Sequence, residues 1–176
     1  MLFRSQTKFL IEVGFGATQA AWALGAVSLA GVPGQIALGQ LSDRVGRELV
    51  WTIGCLGFAL TYAALLLLAD RPSATLLYVM VLAQGVLGYG MTSVFGAITA
   101  EIFEGKHYGS IFGTLGLASL AGGALGPWLA GALHDRTGSY AAAFWVGIAA
   151  SVVSAIAIWR ASPGKVRAVA GRMRAA

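Results

Sequence analysis

Charge is distributed along this chain in a way that divides it. Five runs, 17–41, 49–69, 73–100, 107–133 and 137–159, contain no Asp, Glu, Lys or Arg. Crossing a hydrocarbon core of about 30 Å takes roughly 20 residues of helix, and each run is long enough. A barrel strand would need only about 9–11 residues of alternating polarity. These runs are about twice that length and do not alternate, so they predict helices. Their connections are short and hold nearly all the charge: SDRVGRE, DRP, EIFEGK and HDR. Glycine and proline inside the runs are tolerable because neighbouring helices satisfy the freed backbone groups. The expected organisation is the end of a preceding helix and an outer loop over 1–16, five spans over 17–159, and a basic tail over 160–176.

Composition narrows the class. Of 176 residues, 57% are hydrophobic and 11% charged, and mean hydropathy is +0.76. Soluble domains carry about 25% charged residues, so the polar shell of a water-soluble domain is missing. The expectation is an all-α, multi-pass transmembrane bundle with the lipid bilayer as its first partner. Net charge is +5, yet five of the twelve Lys and Arg lie between Arg160 and Arg174. That placement suits a juxtamembrane tail against anionic lipid and not a nucleic-acid surface. With five spans, Arg44, Arg47, Lys106, Arg160, Lys165, Arg167, Arg172 and Arg174 share one face, and Arg4, Lys8, Arg71 and Arg136 the other. Eight against four predicts a cytoplasmic C-terminus in an inner membrane. MLFRSQTKFLIEV is a poor signal peptide, because Glu12 interrupts any apolar core and no A-x-A site follows. Cys55, the single cysteine, reads as a small core residue.

The chain also repeats itself. Setting 31–46 against 123–138 aligns GVPGQIALGQLSDRVG with GALGPWLAGALHDRTG, with seven of sixteen positions identical. The first copy ends a span on one face and the second on the opposite face. Similar helices of opposite direction are the mark of inverted repeats in secondary transporters. Each copy is read as the middle helix of a three-helix unit, which leaves the first unit one helix short.

Gly39 and Gly46 allow close approach and a tight turn between antiparallel helices. Asp43 falls near a helix C-terminus, where the macrodipole disfavours an anion, so it needs a cation or helix-start N–H groups. Arg44 and Arg47 face that carboxylate or the anionic leaflet. Glu101, with Glu104 and Lys106, is placed to pair across to Arg44 or Arg47. Such a cluster can hold two helix ends in one conformation and release them in another; the plainer alternative is an interfacial turn with positive-inside anchors.

GQLSDRVGRE resembles the G-x-L-[SA]-D-R-x-G-R-[KR] loop signature of the major facilitator superfamily, with Glu48 where a basic residue is usual. Residues 107–145 are similar to the eleventh helix and following loop of the monocarboxylate-porter and oxalate/formate-antiporter-like branches, and TKFLIEVGF resembles the outer loop leaving helix seven. On that mapping the chain covers the end of helix seven through helix twelve. The resemblance implies a secondary transporter working by alternating access and using a proton or solute gradient. It also implies a site completed by a six-helix bundle absent from this chain, and a small solute, such as an organic anion, as cargo. The rival expectation is a truncated, non-transporting remnant or a membrane assembly protein.

Helices seven, eight, ten and eleven line the cavity in that family. Gln19, Gln84, Tyr89, Thr92, Ser93 and Thr114 are the matching polar positions, with Gln84 and Tyr89 the leading substrate contacts because polar groups in hydrocarbon need a partner or water. Helix–helix hydrogen bonding is the alternative for each. Gly85, Gly88, Gly90, Gly116, Gly122, Gly123 and Gly126 are expected as packing surfaces, and Gly126-Pro127 as a flexing point. Trp22, Trp51, Trp128, Trp145 and Trp159 suit an aromatic belt, and His107 and His134 read as solvated loop residues. There is no H-x-x-x-H pair, cysteine cluster, P-loop or G-x-S-x-G, so the sequence predicts no enzyme, no metal and no cofactor.

Overall fold

The computed structural model describes residues 2–103 and 105–161, with side chains from Gln6 onward. Glu104 and all of the expected tail beyond Ala161 lie outside the described residues. The elements are α1 (Leu2–Glu12), α2 (Ala17–Val45), α3 (Arg47–Asp70), α4 (Ala74–Leu82), a π-helical turn (Ala83–Gly88), α5 (Gly90–Ile102), α6 (Tyr108–Thr137) and α7 (Ala141–Ala161). No strand occurs among the described residues. The α4, π and α5 segments make one continuous span, Ala74–Ile102, giving five helices long and apolar enough to cross a membrane.

Helices run further than their charge-free cores. The seven residues SDRVGRE do not form a loop: α2 continues to Val45 and α3 begins at Arg47. Gly46 alone makes the reversal, with φ +110°, a backbone angle that glycine adopts without strain. The second copy of the repeat behaves alike, for α6 continues through His134-Asp135-Arg136 and stops at Gly138, φ +69°. A charged side chain at a helix end can reach the membrane–water boundary, so the helix need not stop where the charge starts.

Contacts between distant segments of the chain fix the direction of every span. Glu12, His134 and Tyr140 meet at one end of the bundle. Arg47 meets Glu101, and Thr52 meets Trp159, at the other. The five spans therefore alternate in direction, and α2 and α6, which carry the repeat, are antiparallel.

The core is in two parts. Phe9, Leu10, Val27, Leu65, Met80 and Phe144 anchor the larger cluster, and Leu38, Val50, Val94 and Ile98 a smaller one. Between them the π turn is wedged against α2 and α3. A Cβ on Gly34 would lie 2.6 Å from the Val86 carbonyl oxygen, and one on Gly57 would lie 2.6 Å from the Gly88 nitrogen. Gly85, Gly88 and Gly90 also lower helix propensity here, at about 1 kcal/mol each, which eases the shift from α to π hydrogen bonding. Outward, Trp22 (74% exposed), Leu29 (76%) and Leu120 (72%) present apolar surface suited to lipid. No residue of α6 is buried.

Candidate functional site

At the α2–α3 end, polar groups from three helices converge. Arg47, in the first turn of α3, donates from Nε to Glu101 Oε1 of α5 at 2.5 Å. Its Nη2 lies 3.2 Å from Asp43 Oδ1, and its Nη1 donates to Ser42 Oγ at 3.4 Å. The one-residue turn brings this about: it places Asp43 and Arg47 four positions apart across Gly46. Asp43 thereby gains the cation that its position at a helix C-terminus calls for. Arg44 points outward and is exposed, so of the two arginines only Arg47 reaches Glu101. Glu48 is buried in the first turn of α3, where the helix N-terminus favours an anion.

The opposite end carries a different cluster. His134 Nε2 lies 3.8 Å from Glu12 Oε2 and its Nδ1 lies 3.8 Å from Asp135 Oδ1. Lys8 Nζ is 3.7 Å from Glu12 Oε1. The imidazole stacks on Tyr140 at 4.2 Å, and Phe9 meets Tyr140 and Phe144 edge-on. His134 is thus no solvated loop residue: it is half-buried in the last turn of α6 and faces α1. Burial pushes the Tyr140 phenol above its ordinary range; Lys8 opposes this, and Glu12 and Asp135 add to it. His107 does lie outside the helix, as the exposed residue preceding α6.

Mid-bundle, Gln84 on the π turn finds a partner in Gln6 of α1. Gln6 Nε2 donates to Gln84 Oε1 at 3.2 Å and Gln84 Nε2 donates to Gln6 Oε1 at 3.4 Å. Both amides are almost fully buried. Tyr89, half-buried, packs its ring over Gly31 and meets Phe58 edge-on. A Gln84→Leu substitution strands the Gln6 amide and is expected to cost about 1–3 kcal/mol. The double change Gln6→Leu/Gln84→Leu removes both partners and is expected to return most of that. Thermal unfolding in detergent reads the difference.

The other polar candidates do not join this pair. Gln19 stands in the first turn of α2, where its Oε1 accepts the Gly16 N–H at 3.3 Å. A helix start leaves N–H groups without intrahelical partners, and this amide serves one of them. Thr92 and Ser93 donate to the carbonyls of Tyr89 and Gly90, and Thr114 to that of Ser110. Ser93 also lies beside Gly39, which brings α5 onto α2. Gly85, Gly88 and Gly90 are packed, whereas a Cβ at Gly116, Gly122, Gly123 or Gly126 meets nothing within 4 Å. The packing expected of those α6 glycines is therefore absent among the described residues. Pro127 lies within an unbroken α6.

Two groupings were missed in the sequence. Gln6, Phe9 and Leu10 are all buried, and their spacing of three and four residues places them on one helix face, a signal available from the sequence. Trp51 and Trp159 tie α3 to α7, donating to Ser154 Oγ at 3.1 Å and Thr52 Oγ1 at 2.9 Å. Among the described residues no group of His, Cys, Asp and Glu is arranged to hold a metal ion.

Among known proteins, the chain is 29% identical over 128 residues to a triacylglyceride transporter of Mycolicibacterium smegmatis, covering 73% of this chain and 22% of that protein. It is 29% identical over 121 residues to a triacylglyceride transporter of Mycobacteroides abscessus (69% and 23%). It is 30% identical over 143 residues to monocarboxylate transporter 13 of Rattus norvegicus (78% and 32%). The chain thus spans between about a fifth and a third of the length of these relatives. No solved structure matches it significantly. The sequence profile of the Major Facilitator Superfamily matches residues 7–174. Together with five apolar spans of alternating direction, that match identifies the chain as a member of the Major Facilitator Superfamily.

Proposed function

We propose that this chain forms one helical bundle of a secondary transporter that moves a small solute across the inner membrane by alternating access, together with a second six-helix bundle. The observation that carries the reading is the pair of polar closures at opposite ends. Arg47–Glu101 joins α3 to α5 at the end of the first repeat copy, and His134–Glu12 joins α6 to α1 at the end of the second. Each closure links a repeat helix, or the helix just after it, to a different neighbour. Weakening one while keeping the other gives a way to open one face at a time. The unburied glycine face of α6 and the relatives' greater length both support a second bundle on that side. The Lys/Arg count supports a cytoplasmic face at Arg47 and a cytoplasmic C-terminus.

For cargo, the likeness to a protein named monocarboxylate transporter 13 supports a small organic anion. A second reading has its own observation. A cavity of about 270 Å³ between α3, α6 and α7 is walled by Gly122, Gly126, Ala143 and Gly147, with Gln6, Tyr62 and Tyr140 its polar groups. Such a wall suits a neutral, apolar cargo, as do the two relatives named for triacylglycerides. Accumulation of labelled monocarboxylates and of labelled acylglycerols in native cells, with and without the gene, separates them. A change of several-fold confined to monocarboxylates supports the anion; a change confined to acylglycerols replaces it. No change in either retires both cargo readings.

A further inference from the structure

The outer side of the α3–α7 pair carries a feature that solute transport does not use. These helices lie side by side, tied near the Arg47 end by the Trp51–Ser154 and Trp159–Thr52 hydrogen bonds. Beyond those ties a groove of about 490 Å³ runs between them, walled by Leu56, Ala59, Val152, Ala155 and Ile156 and reaching Trp159 and Arg160. Leu56 is 56% exposed, Val152 50% and Ile156 53%, so the groove opens outward along its length. In a multi-pass membrane protein that surface is bathed by lipid chains.

Length and charge specify the occupant. From Ser151 to Arg160 the helical rise is about 14 Å, close to the roughly 15 Å depth of one leaflet's hydrocarbon. The groove ends at a cation: Arg160 stands in the last turn of α7 and forms no ion pair among the described residues. Trp159 beside it, held by Thr52, is the amphipathic ring expected at headgroup level. The C-terminal carbonyls of α7 and the buried Glu48 oppose an anion there. Arg160, which lines the groove, favours one. We propose that this groove is a binding site for an anionic phospholipid, one acyl chain lying between α3 and α7 and the phosphate against Arg160.

Native mass spectrometry of the full chain in detergent, with phosphatidylglycerol or phosphatidylcholine added, tests this. Wild-type protein is expected to retain phosphatidylglycerol several-fold better. Arg160→Gln removes the preference, and Ala155→Trp, which fills the groove and leaves every charge in place, lowers retention of both lipids. The basic residues Lys165, Arg167, Arg172 and Arg174 are untouched in both variants. Loss in Arg160→Gln without loss in Ala155→Trp would mean that charge alone collects lipid at this end, and would overturn the groove. If Ala155→Trp fails to fold, phosphatidylglycerol brominated along its chain replaces it, in a background with the exposed Trp22, Trp128 and Trp145 changed to Phe: quenching that falls sharply in Trp159→Phe supports the site. Quenching equal in wild type and Trp159→Phe, or equal retention in all variants, overturns it.

Discussion

Gly57→Val will leave little folded protein. A Cβ at this position meets the Gly88 nitrogen at 2.6 Å and the Ala83 carbonyl oxygen at 2.8 Å, and Leu87 Cβ is closer still. Two of these are backbone atoms of the π turn, which cannot swing aside as a side-chain end can. Overpacking a close-packed site costs about 1–3 kcal/mol, sometimes more, and a clash with backbone belongs at the upper end. Gly34→Val strikes the same turn from α2, 2.6 Å from the Val86 oxygen and 2.7 Å from its Cα. Both variants are expected to lose most of the monodisperse peak in size-exclusion chromatography after detergent extraction. Gly123→Ala on α6 provides the contrast, since its Cβ meets nothing within 4 Å. Within this bundle the gain in helix propensity, about 1 kcal/mol, is unopposed, and the peak of this chain alone is expected unchanged or larger.

Glu101→Lys is expected to abolish transport while leaving the protein in the membrane. Arg47 loses its closest partner and gains a like charge at a site where both side chains are about four-fifths buried, 19% and 23% exposed. Removing one member of a fully buried pair costs about 3–5 kcal/mol, and partial exposure lowers that to roughly 1–3 kcal/mol. A loss of that size shifts a two-state equilibrium by about ten-fold or more without unfolding the bundle. Reversing both charges, Arg47→Glu with Glu101→Arg, restores the attraction but sets Glu at position 47 against Asp43, 3.2 Å from the present guanidinium. Restoration is therefore partial, and adding Asp43→Asn improves it. Transport assayed across the series, with surface abundance measured alongside, checks the order. Equal transport in Glu101→Lys and wild type would remove this closure from the mechanism.

The spans were legible because hydrocarbon imposes length and excludes charge: the runs 17–41 and 49–69 lie wholly within α2 and α3, and helix covers most of the other three. Their ends were less so. Asp43, Arg44, His134 and Arg136 marked where charge begins, but the helices stop at Gly46 and Gly138, where φ turns positive. In a glycine-rich chain nothing local distinguishes those two from the rest except their place in the repeat. Arg47 and Glu101 were legible as partners since both stand at ends on the same face. The π turn was not: it depends on how closely Gly34 and Gly57 admit its backbone, a property of three packed helices. Gln84 stood out in the sequence, but its partner Gln6 lies outside the charge-free runs. Gln19 showed the converse, for a polar residue in an apolar run was serving a helix start.

The central claim is that the two repeat copies cross the bilayer in opposite directions. A cysteine in place of Arg44, just before the first helix end, or of Ser139, just after the second, puts a label at each exposed site. The native thiol is removed by Cys55→Ala. An impermeant maleimide added to intact cells is predicted to label the cysteine at 139 and to reach the one at 44 only after the cells are opened. Labelling of both from the same side would contradict the account.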